Sequence, residues 1–241
     1  MTTTAPVRQA KVKGRRAAAM GALRGVRLPR RLSQLGFGLL LYGTSMALLV
    51  RGRLGVMPWD VLHQGLVRRI GGSIGLWSAV VGVIVLLLWI PLRERPGFGT
   101  VSNVFVIAIA VDAALNVIPT IHALWLRIAF VLVGLVTNAV ATALYVGARL
   151  GPGPRDGLMT GLVRRTGRPV GLIRTSIEVV VVACGWLLGG TLGLATVAYA
   201  LGIGPLVHVL LPRLTVREAR SPRESTGAEP AALEAAPRSR T

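Results

Sequence analysis

A short segment of this chain occurs twice, and that repeat limits the architecture more than any other feature. The first copy runs Leu54-Gly55-Val56-Met57-Pro58-Trp59-Asp60 and continues through Gly65-Leu66-Val67-Arg68-Arg69 to Gly75-Leu76. The second lies 96 positions later, from Leu150-Gly151-Pro152-Gly153-Pro154-Arg155-Asp156 through Gly161-Leu162-Val163-Arg164-Arg165 to Gly171-Leu172. Between 54 and 78 the copies agree at 13 of 25 positions without a gap, including the Pro, the Asp, the Arg pair and four Gly. The same offset places Gly38 on Gly134, Arg53 on Arg149, Gly97 on Gly193 and Thr100-Val101 on Thr196-Val197. The chain therefore reads as two similar halves in tandem.

Around these segments lie six apolar runs, at roughly 34–51, 73–92, 99–119, 124–146, 170–189 and 192–212. Each has close to the 20 or so residues that cross a hydrocarbon core of about 30 Å. Gly, Ala, Ser and Thr recur in them, as close helix packing in lipid requires. The expected fold is all-α: a polytopic membrane bundle of about six transmembrane helices, with a half-length helix in each half. Repeat 1 takes about 33–119 and repeat 2 about 124–212, within a membrane domain of 33–212.

The net charge of +19 would suit nucleic acid, but its distribution argues against that partner. Nine basic residues and no acidic one precede Ser33, and the others gather at the ends of apolar runs, as orientation by cytoplasmic Lys and Arg requires. Residues 1–32 read as an uncleaved basic cytoplasmic tail in contact with anionic lipid. Residues 213–241, polar and proline-containing, read as a disordered cytoplasmic tail. Both termini are thus expected on the cytoplasmic side of the cell (inner or plasma) membrane. The single Cys184 excludes a disulfide framework. With no H-E-x-x-H and no P-loop, the sequence offers no catalytic centre, metal site or cofactor site.

A helix from Pro58 to Ile70 would be about 20 Å long, too short to cross alone. Pro58 and Pro154 suit the first helical turn, and Asp60 and Asp156 fall beside the positive end of the helix dipole. Asp60, His63 and Gln64 share one face, as do Asp156 and Thr160. Two readings stand: an interfacial helix capped for its own stability, or a half-helix whose N-terminal end meets its counterpart at a central binding site. On the second reading those five residues bind a small molecule or ion. Asp112, deep in the third run, and its equivalent His208 are candidates for proton or cation coupling. Glu178, four residues after Arg174, is read as a local ion pair. Three spans per half imply an inverted repeat; if the short segments cross, there are eight spans and parallel repeats. Four Arg outside (Arg51, Arg53, Arg68, Arg69) fit the positive-inside rule poorly in the six-span case.

Leu-Gly-x-x-Pro-Trp-Asp-x-x-x-x-Gly-Leu and Leu-Gly-x-Gly-Pro-Arg-Asp-Gly-Leu resemble segments of the YczE/YitT-like bacterial integral membrane proteins, and the resemblance covers nearly everything between Arg31 and Pro212. It implies a multi-pass inner-membrane protein and transfers no catalytic residues. The leading expectation is a secondary transporter or exporter, not an enzyme, compatible with a homo-oligomer. The alternative is a non-transporting scaffold or regulator acting through a cytoplasmic partner.

Overall fold

The computed structural model describes residues 28–216. Among them the chain forms eight helices and no strand: α1 (Leu28–Gly52), α2 (Pro58–Ile70), α3 (Ile74–Leu92), α4 (Phe98–Val117), α5 (Leu124–Gly147), α6 (Pro154–Thr166), α7 (Val170–Leu187) and α8 (Leu194–Leu214). Six are long and apolar enough to cross a membrane; α2 and α6, of 13 residues each, are not. The expected spans are present, with ends shifted by a few residues. The larger shifts are at the outer edges. Helix α1 takes in Leu28, the first described residue, and Pro29, both inside the expected 1–32 tail. Helix α8 continues past Pro212 to Leu214, and it also contains Pro205; neighbouring groups make such prolines tolerable in membrane helices. The remainder of the two expected tails lies outside the described residues.

Hydrogen bonds give the direction of each span. Near its start, α1 meets the end of α5: Arg31 Nε donates to Ala148 O (3.0 Å) and Gln34 Nε2 to Leu144 O (3.0 Å). At the other end of α1, Arg127 at the start of α5 donates through Nε to Gly52 O (2.9 Å) and through Nη2 to Arg53 O (2.6 Å). The first helices of the two halves therefore run antiparallel. Gln34 also donates to Leu214 O (2.7 Å), so both ends of the described chain lie at one face of the bundle. Helix α6 lies at this face, where Arg164 pairs with Glu94 (2.9 Å) beyond the end of α3. Helix α2 lies at the opposite face, where Arg68 donates to Thr191 (3.0 Å) and to the Gly189 carbonyl.

Helix α1 is the centre of the bundle, packed along α5 and α4. Lipid tails are as apolar as leucine, so contact between spans depends on close fit rather than on escape from water. A Cβ added at Gly43 would stand 2.5 Å from the Ala110 Cβ, and one at Gly38 would stand 2.9 Å from the Tyr145 backbone N. Only glycine permits those approaches. A buried polar chain ties three spans together: Tyr199 O–H donates to Asn138 Oδ1 (2.7 Å), Asn138 Nδ2 to Ser45 Oγ (2.8 Å), and Ser45 to Tyr42 O (2.6 Å).

Most of the packing recurs at an offset of 96. Helix α1 packs on α4 as α5 does on α8, and α2 packs on α7 as α6 does on α3. One pair departs. Helix α3 lies along α4, whereas α7 scarcely touches α8. Gly75 in α3 presses on the Ala108 carbonyl and on Asp112; its equivalent Gly171 has nothing within 4 Å of an added Cβ, and neither has Gly204, the equivalent of Ala108.

Candidate functional site

The two repeated segments fold alike for reasons visible in their residues. Gly55 (φ 118°) and Gly151 (φ 135°) adopt backbone that residues with a Cβ rarely enter. An added Cβ at either would also collide with a threonine of the other half, Thr196 and Thr100 respectively, at 2.7 Å. Each break docks on the start of the other half's last span: Ala195 N–H donates to Leu54 O (3.0 Å), and Gly99 N–H to Leu150 O (2.8 Å). Pro58 and Pro154 then open the short helices, whose N-terminal ends are left pointing into the protein.

Those two ends meet at one cavity of about 450 Å³, a size typical of small-molecule sites. Trp59 and Arg155, 96 positions apart, touch there: the Arg155 guanidinium carbon lies 5.0 Å from the Trp59 ring centroid and 6.0 Å from that of Tyr42. Such cation–π contacts contribute about 0.5–2 kcal/mol, more where water is excluded. Tyr42 meets Tyr145 edge to face at 6.0 Å, and Tyr145 O–H lies 3.2 Å from Asp156 Oδ2. All three tyrosines of the chain line this cavity. Val81, Ile107 and Ile203 supply apolar wall. The cavity extends between α7 and α8, past Arg174, Glu178 and His208, toward the face that holds the chain ends.

The sequence-predicted residues separate. His63, Asp156 and His208 line the cavity. Asp60 lies directly behind it, fully buried, with Oδ1 3.0 Å from His63 Nδ1 and no hydrogen-bond partner on Oδ2. Its equivalent Asp156 is open to the cavity, so two residues that look alike in sequence have different surroundings. Gln64 faces a second hollow and accepts from Thr191 N–H (3.1 Å). Thr160 donates back to the Asp156 carbonyl (2.6 Å). Asp112 accepts from Gly75 N–H (2.8 Å) and from the Ser73 hydroxyl at the start of α3. Glu178 and Arg174 form the expected ion pair (3.1 Å) on the cavity wall.

Sequence reasoning missed Arg155, Trp59, Tyr42 and Tyr145. The available signal was the mismatch within the repeat, Trp59 against Arg155, in a segment otherwise half identical. The cavity offers one guanidinium set against aromatic rings, a carboxylate held by a phenol, two imidazoles and an ion pair. That set can hold a small polar molecule through hydrogen bonds and charge, with the Tyr and Trp rings excluding water around it.

Residues 29–212 match the model of a family of unknown function, DUF6198. The chain belongs to that family. It is 39% identical over 180 residues to an uncharacterised protein of Haemophilus influenzae, an alignment covering 75% of this chain and 83% of the relative. It is 29% identical over 178 residues to the uncharacterised membrane protein YczE of Bacillus subtilis, covering 73% and 83%. A third relative, YyaS of the same organism, is 26% identical over 181 residues, covering 73% and 90%. No solved structure matches the chain. The YczE resemblance read from the repeated segments is thereby shown, and with six apolar helices the protein is a multi-pass membrane protein.

Proposed function

We propose that this protein is a secondary transporter or exporter of a small polar molecule or ion, built as an inverted repeat. The carrying observation is the meeting of two half-helix ends, one from each half, at a single polar cavity that is open between α7 and α8 and closed between α3 and α4. Paired broken helices around a central site are the arrangement by which inverted-repeat transporters bind substrate. If the halves exchange conformations, α7 closes on α8, α3 leaves α4, and the cavity opens to the opposite face.

In this reading Arg155, Asp156 and His63 contact the substrate, and the three tyrosines enclose it. Asp112 and His208, at equivalent places on α4 and α8, register which half is closed. The face holding the chain ends is the cytoplasmic one, with the basic N-terminal tail against anionic lipid of the cell membrane. A scaffold acting through a partner would have no use for a charged, hollow centre.

Ser78 tests the reading, because it lines the cavity from α3 and faces the gap that would open between α3 and α4. Ser78→Cys, in a Cys184→Ser background, should react with a membrane-impermeant maleimide from both sides of sealed vesicles, while an Arg53→Cys marker reacts from one side alone. Labelling of Ser78→Cys from one side only would defeat the transport mechanism.

A further inference from the structure

The face opposite the chain ends carries the second hollow, of about 700 Å³, and its lining is strongly basic. Arg51, Arg53, Arg68, Arg127 and His122 all line it, and no aspartate or glutamate does. Four guanidinium groups around one hollow repel each other, and charge of this kind at the face away from the ends of the described chain, the side read above as cytoplasmic, is the reverse of the usual bias.

Part of the arrangement is structural. Arg127 binds the Gly52 and Arg53 carbonyls, Arg68 the Gly189 carbonyl and Thr191 hydroxyl, and Arg51 the Leu115 carbonyl. These contacts fasten helix ends whose carbonyls would otherwise lack donors. They leave two things unexplained. Arg51 Nε is buried without a hydrogen-bond partner. The Arg53 guanidinium is exposed and makes no hydrogen bond or ion pair with the described residues. Arg53 is also held at φ 53°, a left-handed conformation just past the helix end where glycine is the less strained choice. A residue kept there against that preference, with a guanidinium that has no partner among the described residues, has a side chain available for something else.

We infer that this basin is a binding site for a phosphate-type oxyanion, either free in solution or as the headgroup of an anionic phospholipid. Each guanidinium has five N–H donors in a planar fork that matches phosphate oxygens, and the helix-end contacts occupy only one or two on each anchored arginine. The anchoring fixes Arg51, Arg68 and Arg127 in advance, so an anion orders little beyond Arg53. Gln64 of the same lining belongs to α2, the helix whose other end reaches the central cavity. The site stands whether or not the protein transports.

Full-length protein in neutral detergent is titrated with inorganic phosphate against gluconate of equal ionic strength, following Tm. In a second arm it is placed in nanodiscs of phosphatidylcholine with or without phosphatidylglycerol. A saturable rise in phosphate identifies the free anion; a rise confined to phosphatidylglycerol discs identifies the lipid. Either supports the site, provided that Arg53→Gln and Arg53→Gly weaken the response about tenfold or more, the loss expected for a charge-assisted hydrogen bond or two. Arg53→Gly preserves the left-handed cap, so its Tm in gluconate should be no lower than that of the parent. The inference is overturned if neither anion stabilises saturably, or if both Arg53 variants respond as the parent does.

Discussion

If the halves exchange conformations, Gly171 and Gly204 must come together as Gly75 and Ala108 already do. In α3 and α4 an added Cβ at Gly75 would overlap the Ala108 carbonyl, whereas an added Cβ at Gly171 or Gly204 meets nothing within 4 Å. A disulfide needs Cα atoms about 4.4–6.8 Å apart, so Gly171→Cys with Gly204→Cys, in a Cys184→Ser background, should bridge only when α7 closes on α8. The balance between the states can be reasoned from the latch that holds the first half shut. Asp112 accepts from Gly75 N–H (2.8 Å) and from Ser73. In the second half the equivalents are His208 for Asp112 and Pro169 for Ser73, and proline has no hydroxyl to give. Closing the second half therefore replaces fewer hydrogen bonds than opening the first one breaks. Each bond to a charged group contributes about 1.5–3 kcal/mol net, and a gap of a few kcal/mol leaves roughly 0.1–10% of molecules in the minor state.

Oxidation traps that minor state, so bridging should accumulate slowly in membranes exposed to a mild oxidant, measured by loss of free thiols and by mass spectrometry of the linked peptides. Asp112→Ala removes both latch bonds and should raise the bridging rate about tenfold or more, because 1.4 kcal/mol is a factor of ten. Asp112→Asn keeps weaker, neutral bonds and should fall between. Absence of bridging in all three backgrounds would refute the exchange. So would an Asp112→Ala protein that bridges no faster than its parent, since the latch would then hold nothing.

Two further predictions concern packing and the paired aspartates. Gly157→Ala puts a methyl group into the ring of Trp89, which is buried and fixed by its Nε1–H to Pro154 O (3.1 Å); it should cost about 1–3 kcal/mol, seen as a lower Tm. Gly36→Ala, with nothing within 4 Å, should leave Tm unchanged or higher. Asp60→Ala leaves a buried His63 without its hydrogen-bond partner and should cost about 2–3 kcal/mol. Asp156→Ala, open to the cavity and losing one hydrogen bond from Tyr145, should cost about 1 kcal/mol; equal losses of Tm in the two variants would contradict the different environments assigned to them.

The six spans were legible because each is a long apolar run, and the short helices because Pro58 and Pro154 open segments too brief to cross. Helix ends were less so: Pro212 looks like a boundary, yet the last helix runs on to Leu214, since a membrane helix can absorb a proline. Asp60 and Asp156 were read as equals because equal offsets imply equal surroundings. That inference fails where α7 stands away from α8 while α3 lies on α4, a difference in packing between segments of similar pattern. The cavity's charged lining, Arg155, Asp156, Arg174 and Glu178, comes from the second half, and of these four only Asp156 was named as a binding residue from the repeat.

What the repeat does tell, once the contact is known, lies in its mismatches. Two residues at equivalent positions that touch each other stand where exchange of the halves maps the pair onto itself. Had both been arginine, two guanidinium groups would face each other beside the positive ends of two short helices, an arrangement that repulsion disfavours. Had both been tryptophan, the centre would hold no charge of its own. Trp59 with Arg155 avoids both outcomes: the ring face is negative and the guanidinium positive, and they lie 5.0 Å apart. The same pairing of unlike residues recurs around it, with Tyr42 against Asn138, Tyr199 against Asn103, Arg174 against Ser78 and Glu178 against Gly82. A centre made of identical halves would present any bound molecule with the same groups from both sides. Divergence at these positions gives the cavity distinct ends, which is what a site needs in order to hold an asymmetric molecule in one orientation.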